Sequence, residues 1–248
     1  MKNKNAQLTI FIIISILIVA VVVLFFTLRG NLNLPGKPVS PETTKIKNFV
    51  QTCLDDSLES VVFKVGKNGG YYLLSSAPTT TPVLEVPYYI KDNKNLMPGK
   101  EKIQEQISRG IERELFFCVG NFELFSPEYE ITKGKMTHPE VVIESERVFV
   151  EVNYPLTIQK GGSKSKIEDF SSEVPVRLGI VYDAVAEFVE EDLKTEGLCI
   201  SCLFDISEKN GFKSSYPNYD DNTYIFIIED PQSKLNNKEF VYVFANEY

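Results

Sequence analysis

Residues 148–158 read Val148-Phe149-Val150-Glu151-Val152-Asn153-Tyr154-Pro155-Leu156-Thr157-Ile158. Val148, Val150, Val152, Tyr154, Leu156 and Ile158 are apolar at every second position. Successive side chains of a strand point to opposite faces, so this alternation predicts a strand with one buried face. Gly161-Gly162-Ser163 predicts a turn that sends the chain back through 164–175. A shorter strand over 141–144 precedes it. The three together predict an antiparallel meander with a long central hairpin.

Toward the C-terminus the period changes. Leu178, Val181, Val185, Phe188, Val189 and Leu193 recur at helical spacing, which predicts a helix over 178–196 capped by Gly197. Cys199-Ile200-Ser201-Cys202 opens a short helix that ends at Asn210-Gly211. Residues 224–229 and 240–245 are near-continuous apolar runs split by 230–234. Such runs suit central strands covered on both faces.

Toward the N-terminus, Ser40-Pro41-Glu42 supplies an N-cap, a first-turn proline and an acidic first turn. The following stripe is Ile46, Phe49, Val50, Cys53, Leu54, Leu58, Val61, Val62 and Val65, and Gly66 or Gly69-Gly70 ends it. Strands are predicted over 71–74 and 83–91, joined by the Pro/Thr loop 77–82, with Pro87 placing the second at an edge or a bulge. A further helix follows Pro98-Gly99 on the stripe Ile103, Ile107, Ile111, Leu115 and Val119, with Cys118 in its last turn and Gly120-Asn121 as its stop.

Residues 8–28, LTIFIIISILIVAVVVLFFTL, begin at Leu8, end at Leu28 and carry no charge and no proline. At 1.5 Å per residue they span roughly 31 Å, a bilayer's hydrocarbon thickness. The expected fold class is therefore α+β: one N-terminal transmembrane helix, then an extracytoplasmic antiparallel sheet packed with about three helices. The expected parts are a basic head (1–7), the membrane helix (8–28), a Pro/Gly spacer (29–40) and the α+β domain (41–248). A short basic head stays inside and a long domain crosses largely regardless of charge. The expected location is the cell membrane, single-pass, with the head cytoplasmic and the domain outside. The net charge of −8, without a Lys/Arg block, argues against nucleic acid as a partner. The expected partners are the lipid bilayer, through Leu8 to Leu28, and a protein at the cell surface.

The segment Lys4-Asn5-Ala6-Gln7-Leu8-Thr9-Ile10-Phe11 resembles the class III signal of archaeal type IV pilin-like proteins. That resemblance implies cleavage between Ala6 and Gln7. Phe11 stands where the family has an acidic residue, and Gly30, Pro35, Gly36 and Pro38 interrupt the helix that the family runs unbroken. Val50-Gln51-Thr52-Cys53-Leu54, Gly69-Gly70-Tyr71, Val86-Pro87-Tyr88-Tyr89, Val152-Asn153-Tyr154-Pro155-Leu156, Glu173-Val174-Pro175-Val176-Arg177-Leu178-Gly179 and Cys199-Ile200-Ser201-Cys202 resemble a group of uncharacterised single-pass membrane proteins of small-genome archaea. This second resemblance implies no activity.

Four cysteines, Cys53, Cys118, Cys199 and Cys202, permit two disulfides in an oxidising compartment. Cys53 and Cys118 fall on the inner sides of two helices expected to pack together, as a disulfide or as small buried hydrophobes. Cys199 and Cys202 read as a structural disulfide, buried thiols, a redox pair or half of a zinc site; a thioredoxin-type pair follows a strand, and here a helix precedes. His138, the only histidine, lies in a loop, so no nucleophile–histidine set is expected around it. Asp55-Asp56 reads as a solvated helix face and Asp220-Asp221 as a turn. Tyr71, Tyr72, Tyr88, Tyr89, Tyr216 and Tyr219 either pack over the sheet or form a binding surface. No catalytic residue, cofactor or metal site is expected. The expected function is a membrane-anchored cell-surface domain with a structural or protein-interaction role and no catalysis. The alternatives are a pilin-like filament subunit and an envelope thiol–disulfide oxidoreductase using Cys199 and Cys202.

Overall fold

The computed structural model describes residues 41–248 apart from Glu196. Among the described residues four α-helices and two sheets alternate: α1 (Pro41–Lys67), β1 (Tyr88–Lys91), β2 (Lys94–Asn95), α2 (Lys100–Val119), β3 (Glu130–Lys133), β4 (Glu140–Ile143), β5 (Val148–Lys160), β6 (Ser163–Val174), α3 (Leu178–Asp192), α4 (Ile200–Asn210), β7 (Lys213–Ser215), β8 (Thr223–Leu235) and β9 (Lys238–Glu247).

β5 is the spine of a four-stranded antiparallel sheet. β6 pairs along one edge, and β3 and β4 share the other. All six alternating residues from Val148 to Ile158 are buried. Opposite Tyr154 and Pro155 the β5–β6 register shifts, between Asn153↔Asp169 and Leu156↔Ile167. Proline cannot donate to the ladder, so the strand bulges there. The bulge explains why β6 buries Phe170, Ser172 and Val174 in regular alternation but slips by one residue to Ile167 on its other side.

The second sheet has the order β2-β1-β9-β8-β7. β8 and β9 form a hairpin that turns at Asn236-Asn237, both with positive φ (50° and 59°), the backbone a tight two-residue hairpin needs. Pairing breaks between Asp230 and Lys234 and then resumes, so residues 230–234, which split the two apolar runs in the sequence, are a bulge inside β8.

α1, 27 residues long, touches both sheets. Gln51 Nε2 donates to the Ser171 carbonyl of β6 (2.8 Å), while Gly66 lies where a Cβ would meet the Val241 carbonyl of β9 at 2.5 Å. α3 packs the Phe188 ring at a tilt against Phe226 and Phe244, with centroids 5.0 and 6.2 Å apart. One apolar core joins these helices and both sheets.

Several expectations require correction. The fold of the described residues is α+β, but with two sheets, a parallel β1–β9 pair and four α-helices rather than one antiparallel sheet with about three. Among the described residues no helix is long and apolar enough to cross a membrane. The stretch 8–28, the head, the spacer, Ser40 and the Ala6–Gln7 bond lie outside the described residues. Residues 71–74 form no strand: the Tyr72 amide donates to the Gln106 side chain (3.1 Å), and a 3-10 turn follows at Leu74–Ser76. β1 begins only at Tyr88 and is not an edge strand, since β2 pairs with it outside, but the bulge expected at Pro87 is present as a register shift between Tyr88 and Ile90 in the pairing with β9. α3 stops at Asp192, short of 196. β8 and β9 are central and covered on both faces as expected, with Phe188 of α3 packed on one of them. The other is covered by a small cluster of Tyr88, Ile225 and Ala245 with neighbouring loop residues.

Candidate functional site

Two disulfides mark two different kinds of place. Cys53 of α1 bonds Cys118 of α2, with Cα atoms 5.7 Å apart and a sequence separation of 65. The helices approach closely nearby, where a Cβ on Gly110 would meet Val61 Cγ1 at 2.6 Å. On the chain-entropy model a loop this long contributes about 4 kcal/mol. Cys53 is buried as expected, but Cys118 is exposed, on the shoulder of α2 rather than its inner side.

The shoulder is apolar. Phe116 and Phe117 are 59% and 67% exposed, and their rings meet edge-on at 5.7 Å. The Arg113 guanidinium lies over Phe117 at 5.9 Å. Leu124, just past the helix end, is 82% exposed. Beneath, Phe49 packs edge-on against Phe125 (5.3 Å) and Phe122 (6.2 Å). The two exposed rings therefore stand on a helix end held by a disulfide on one side and packed aromatics on the other.

Cys199 bonds Cys202 across the first turn of α4, three residues apart. The same entropy model gives this loop only about 2 kcal/mol, and it joins no second element. Cys199 is the N-cap, and its Sγ accepts the Cys202 amide at 3.3 Å. The Cys199 amide donates to Asp192 Oδ1 (2.8 Å). Asp192 is 2% exposed and also accepts from Asn246 Nδ2 (2.9 Å) and the Tyr248 hydroxyl. Burial, then the Asp192 carboxylate, push the Tyr248 phenol far above its usual range. A cleft of about 570 Å³ opens beside this network, lined by Asp192, Leu193, Gly197 and Tyr248 among others.

His138 is not an isolated loop residue. Its Nε2 lies 2.9 Å from Ser108 Oγ, and its Nδ1 lies 3.6 Å from Glu112 Oε2. These residue types in this order resemble a hydrolytic set, but the hydrogens run the wrong way. Ser108 gives its one hydroxyl proton to the Pro139 carbonyl (2.5 Å), so the histidine must donate to Ser108 rather than accept from it. Ser108 is also 2% exposed, out of reach of a substrate. The cluster latches the 137–139 loop onto α2. Ser108 and Glu112 lie 30 and 26 residues from His138, so no local signal announced them.

Asp55 and Asp56 are exposed on α1. Asp220 accepts its neighbour Asn222's amide (3.0 Å) in a turn. Tyr71, Tyr72, Tyr88 and Tyr89 are buried, so they belong to packing rather than to a binding surface. Tyr216 and Tyr219 are half-buried. Among the described residues, no three His, Cys, Asp or Glu side chains converge to hold a metal ion. No family model matches the chain, and neither a curated protein nor a solved structure matches it.

Proposed function

We propose that this chain is a cell-surface interaction domain that works in an oxidising compartment and binds a protein through the shoulder of α2. The observation that carries the reading is the exposed Phe116–Phe117 pair beside the Cys53–Cys118 disulfide. Aromatic rings and arginine dominate the binding energy of protein interfaces, and rings fixed before binding lose little entropy on contact. Arg113 adds positive charge to the rim. The partner chemistry that fits is an apolar socket edged by carboxylates. Both disulfides favour a location outside a reducing cytoplasm.

The test uses the full chain in its native cells, with a photo-crosslinking amino acid at position 117 and, as control, at the exposed position 55. A discrete adduct with a second protein at 117 only, lost when Arg113 becomes Glu, supports the reading. No adduct, or one made only of two copies of this chain, overturns it. So does a Phe116→Ser/Phe117→Ser variant whose melting temperature falls by more than a few degrees, because the rings would then be core.

A further inference from the structure

The disulfide Cys199–Cys202 has the wrong placement for a staple and the right one for chemistry. It links two positions of one helical turn, whereas Cys53–Cys118 ties two helices. Cys202 packs against the core, while Cys199 sits outside that cluster at the helix mouth. The Cys202 amide already points at Cys199 Sγ (3.3 Å), and Ser201 Oγ lies 3.6 Å from the same sulfur. α4 runs for 11 residues, so its N-terminus also favours negative charge on that sulfur. Asp192 fixes the backbone beneath by accepting the Cys199 amide. Ile200 and Phe204, 42% and 54% exposed, are four residues apart and therefore share one helix face beside the sulfurs.

We propose that Cys199–Cys202 is a thiol–disulfide exchange site for dithiols carried on a peptide or protein, with Ile200 and Phe204 as the apolar surface that receives the flanking residues. This activity is separate from the shoulder of α2 and does not depend on it. A substrate thiolate attacks Cys199 Sγ, the outer sulfur. The Cys199–Cys202 bond breaks, and Cys202 leaves as a thiolate that takes a proton from water. The substrate's second thiolate then attacks its own sulfur in the mixed disulfide. Cys199 leaves as a thiolate, held by the Cys202 amide and the helix end. Two electrons pass from the substrate, which becomes a disulfide, to the chain, which becomes a dithiol. The reverse reaction with an oxidised partner restores the starting state. Asp192 is a positioning residue here and touches no reacting atom.

The full-length oxidised protein is equilibrated in graded glutathione buffers, quenched, alkylated and mapped by peptide mass. The expected result is that Cys199–Cys202 opens in more oxidising buffer than Cys53–Cys118. In single variants given glutathione disulfide, Cys199 of Cys202→Ser attacks it and releases one glutathione thiolate at least about tenfold faster than Cys202 of Cys199→Ser does. A reduced dithiol peptide is oxidised one for one by the wild type, and more slowly by Ile200→Ser/Phe204→Ser. The proposal is overturned if Cys53–Cys118 opens first, or if the two cysteine variants trap glutathione equally. The order of opening in the wild type needs no substitution, so it decides the matter even if a variant does not fold.

Discussion

The two disulfides should differ in what they do for stability, and the difference can be calculated. Removing Cys53–Cys118 releases a 65-residue constraint on the unfolded chain, a loss of about 4 kcal/mol. Removing Cys199–Cys202, which spans three residues, should cost about 2 kcal/mol at most. For a domain near 200 residues, each kcal/mol moves the melting temperature by roughly 2–4 °C, so the long bridge is worth roughly 8–16 °C. The cleanest perturbation is Cys118→Ala. Cys118 is exposed, so its truncation opens no cavity, and the sulfur of buried Cys53 stays in the core. Cys53→Ala should fall further, by the additional loss of a buried sulfur. The assay is thermal unfolding of the full chain by near-ultraviolet circular dichroism without reductant, with Cys199→Ala/Cys202→Ala alongside. Equal shifts for the two bridges, or a larger one for the short bridge, would refute the assignment of Cys53–Cys118 as the staple.

Two further outcomes follow from buried polar groups. Asp230 is fully buried and accepts from Arg177 Nη1 (3.0 Å), Ser233 Oγ (2.6 Å) and the Gln232 amide (3.2 Å), while Arg177 Nη2 reaches the Asn210 carbonyl at the end of α4 (2.9 Å). Asp230→Asn leaves the guanidinium without its counter-charge and should lower the urea-derived stability by about 3–5 kcal/mol, with Arg177→Met/Asp230→Leu recovering part of that loss; full stability of the single variant would refute the pair's role. Tyr89 and Tyr242 share a buried hydroxyl contact of 2.7 Å, and burial raises both phenols above the ordinary 10.0. They stay protonated in the fold but ionise near 10 when unfolded, so their contribution is complete below pH 10 and is lost as pH rises above it. Stability should fall by about 1.4 kcal/mol per pH unit per tyrosine there, and Tyr242→Phe should remove one share of that slope; a flat stability curve above pH 10 would contradict this.

What the sequence made legible was whatever repeats. The period of two over Val148–Ile158 and the 3.6 period of the stripes on α1, α2 and α3 correspond to faces that are buried. What it hid was whatever interrupts a repeat or joins distant residues. Residues 230–234 split two apolar runs because they are polar, yet their polarity serves the buried Arg177 contact within a continuing strand. Tyr71 and Tyr72 look like strand because they are aromatic, yet the Tyr72 amide is taken by Gln106, which no local pattern connects to it. The candidate surface on α2 falls between these cases. Successive helical residues rotate by about 100°, so Phe117, two positions after buried Leu115, must point about 200° away from the stripe that buries Leu115 and Val119. An aromatic ring at that angle breaks the rule that the outer face of a surface helix is polar. Cys118 adjoins it and, by the same geometry, lies only about 60° from Leu115 around the axis, near enough to the stripe to reach Cys53. The exposure of Phe117 and the bridge at Cys118 are thus two consequences of one stripe, which is why the apolar shoulder and the disulfide that steadies it occur together.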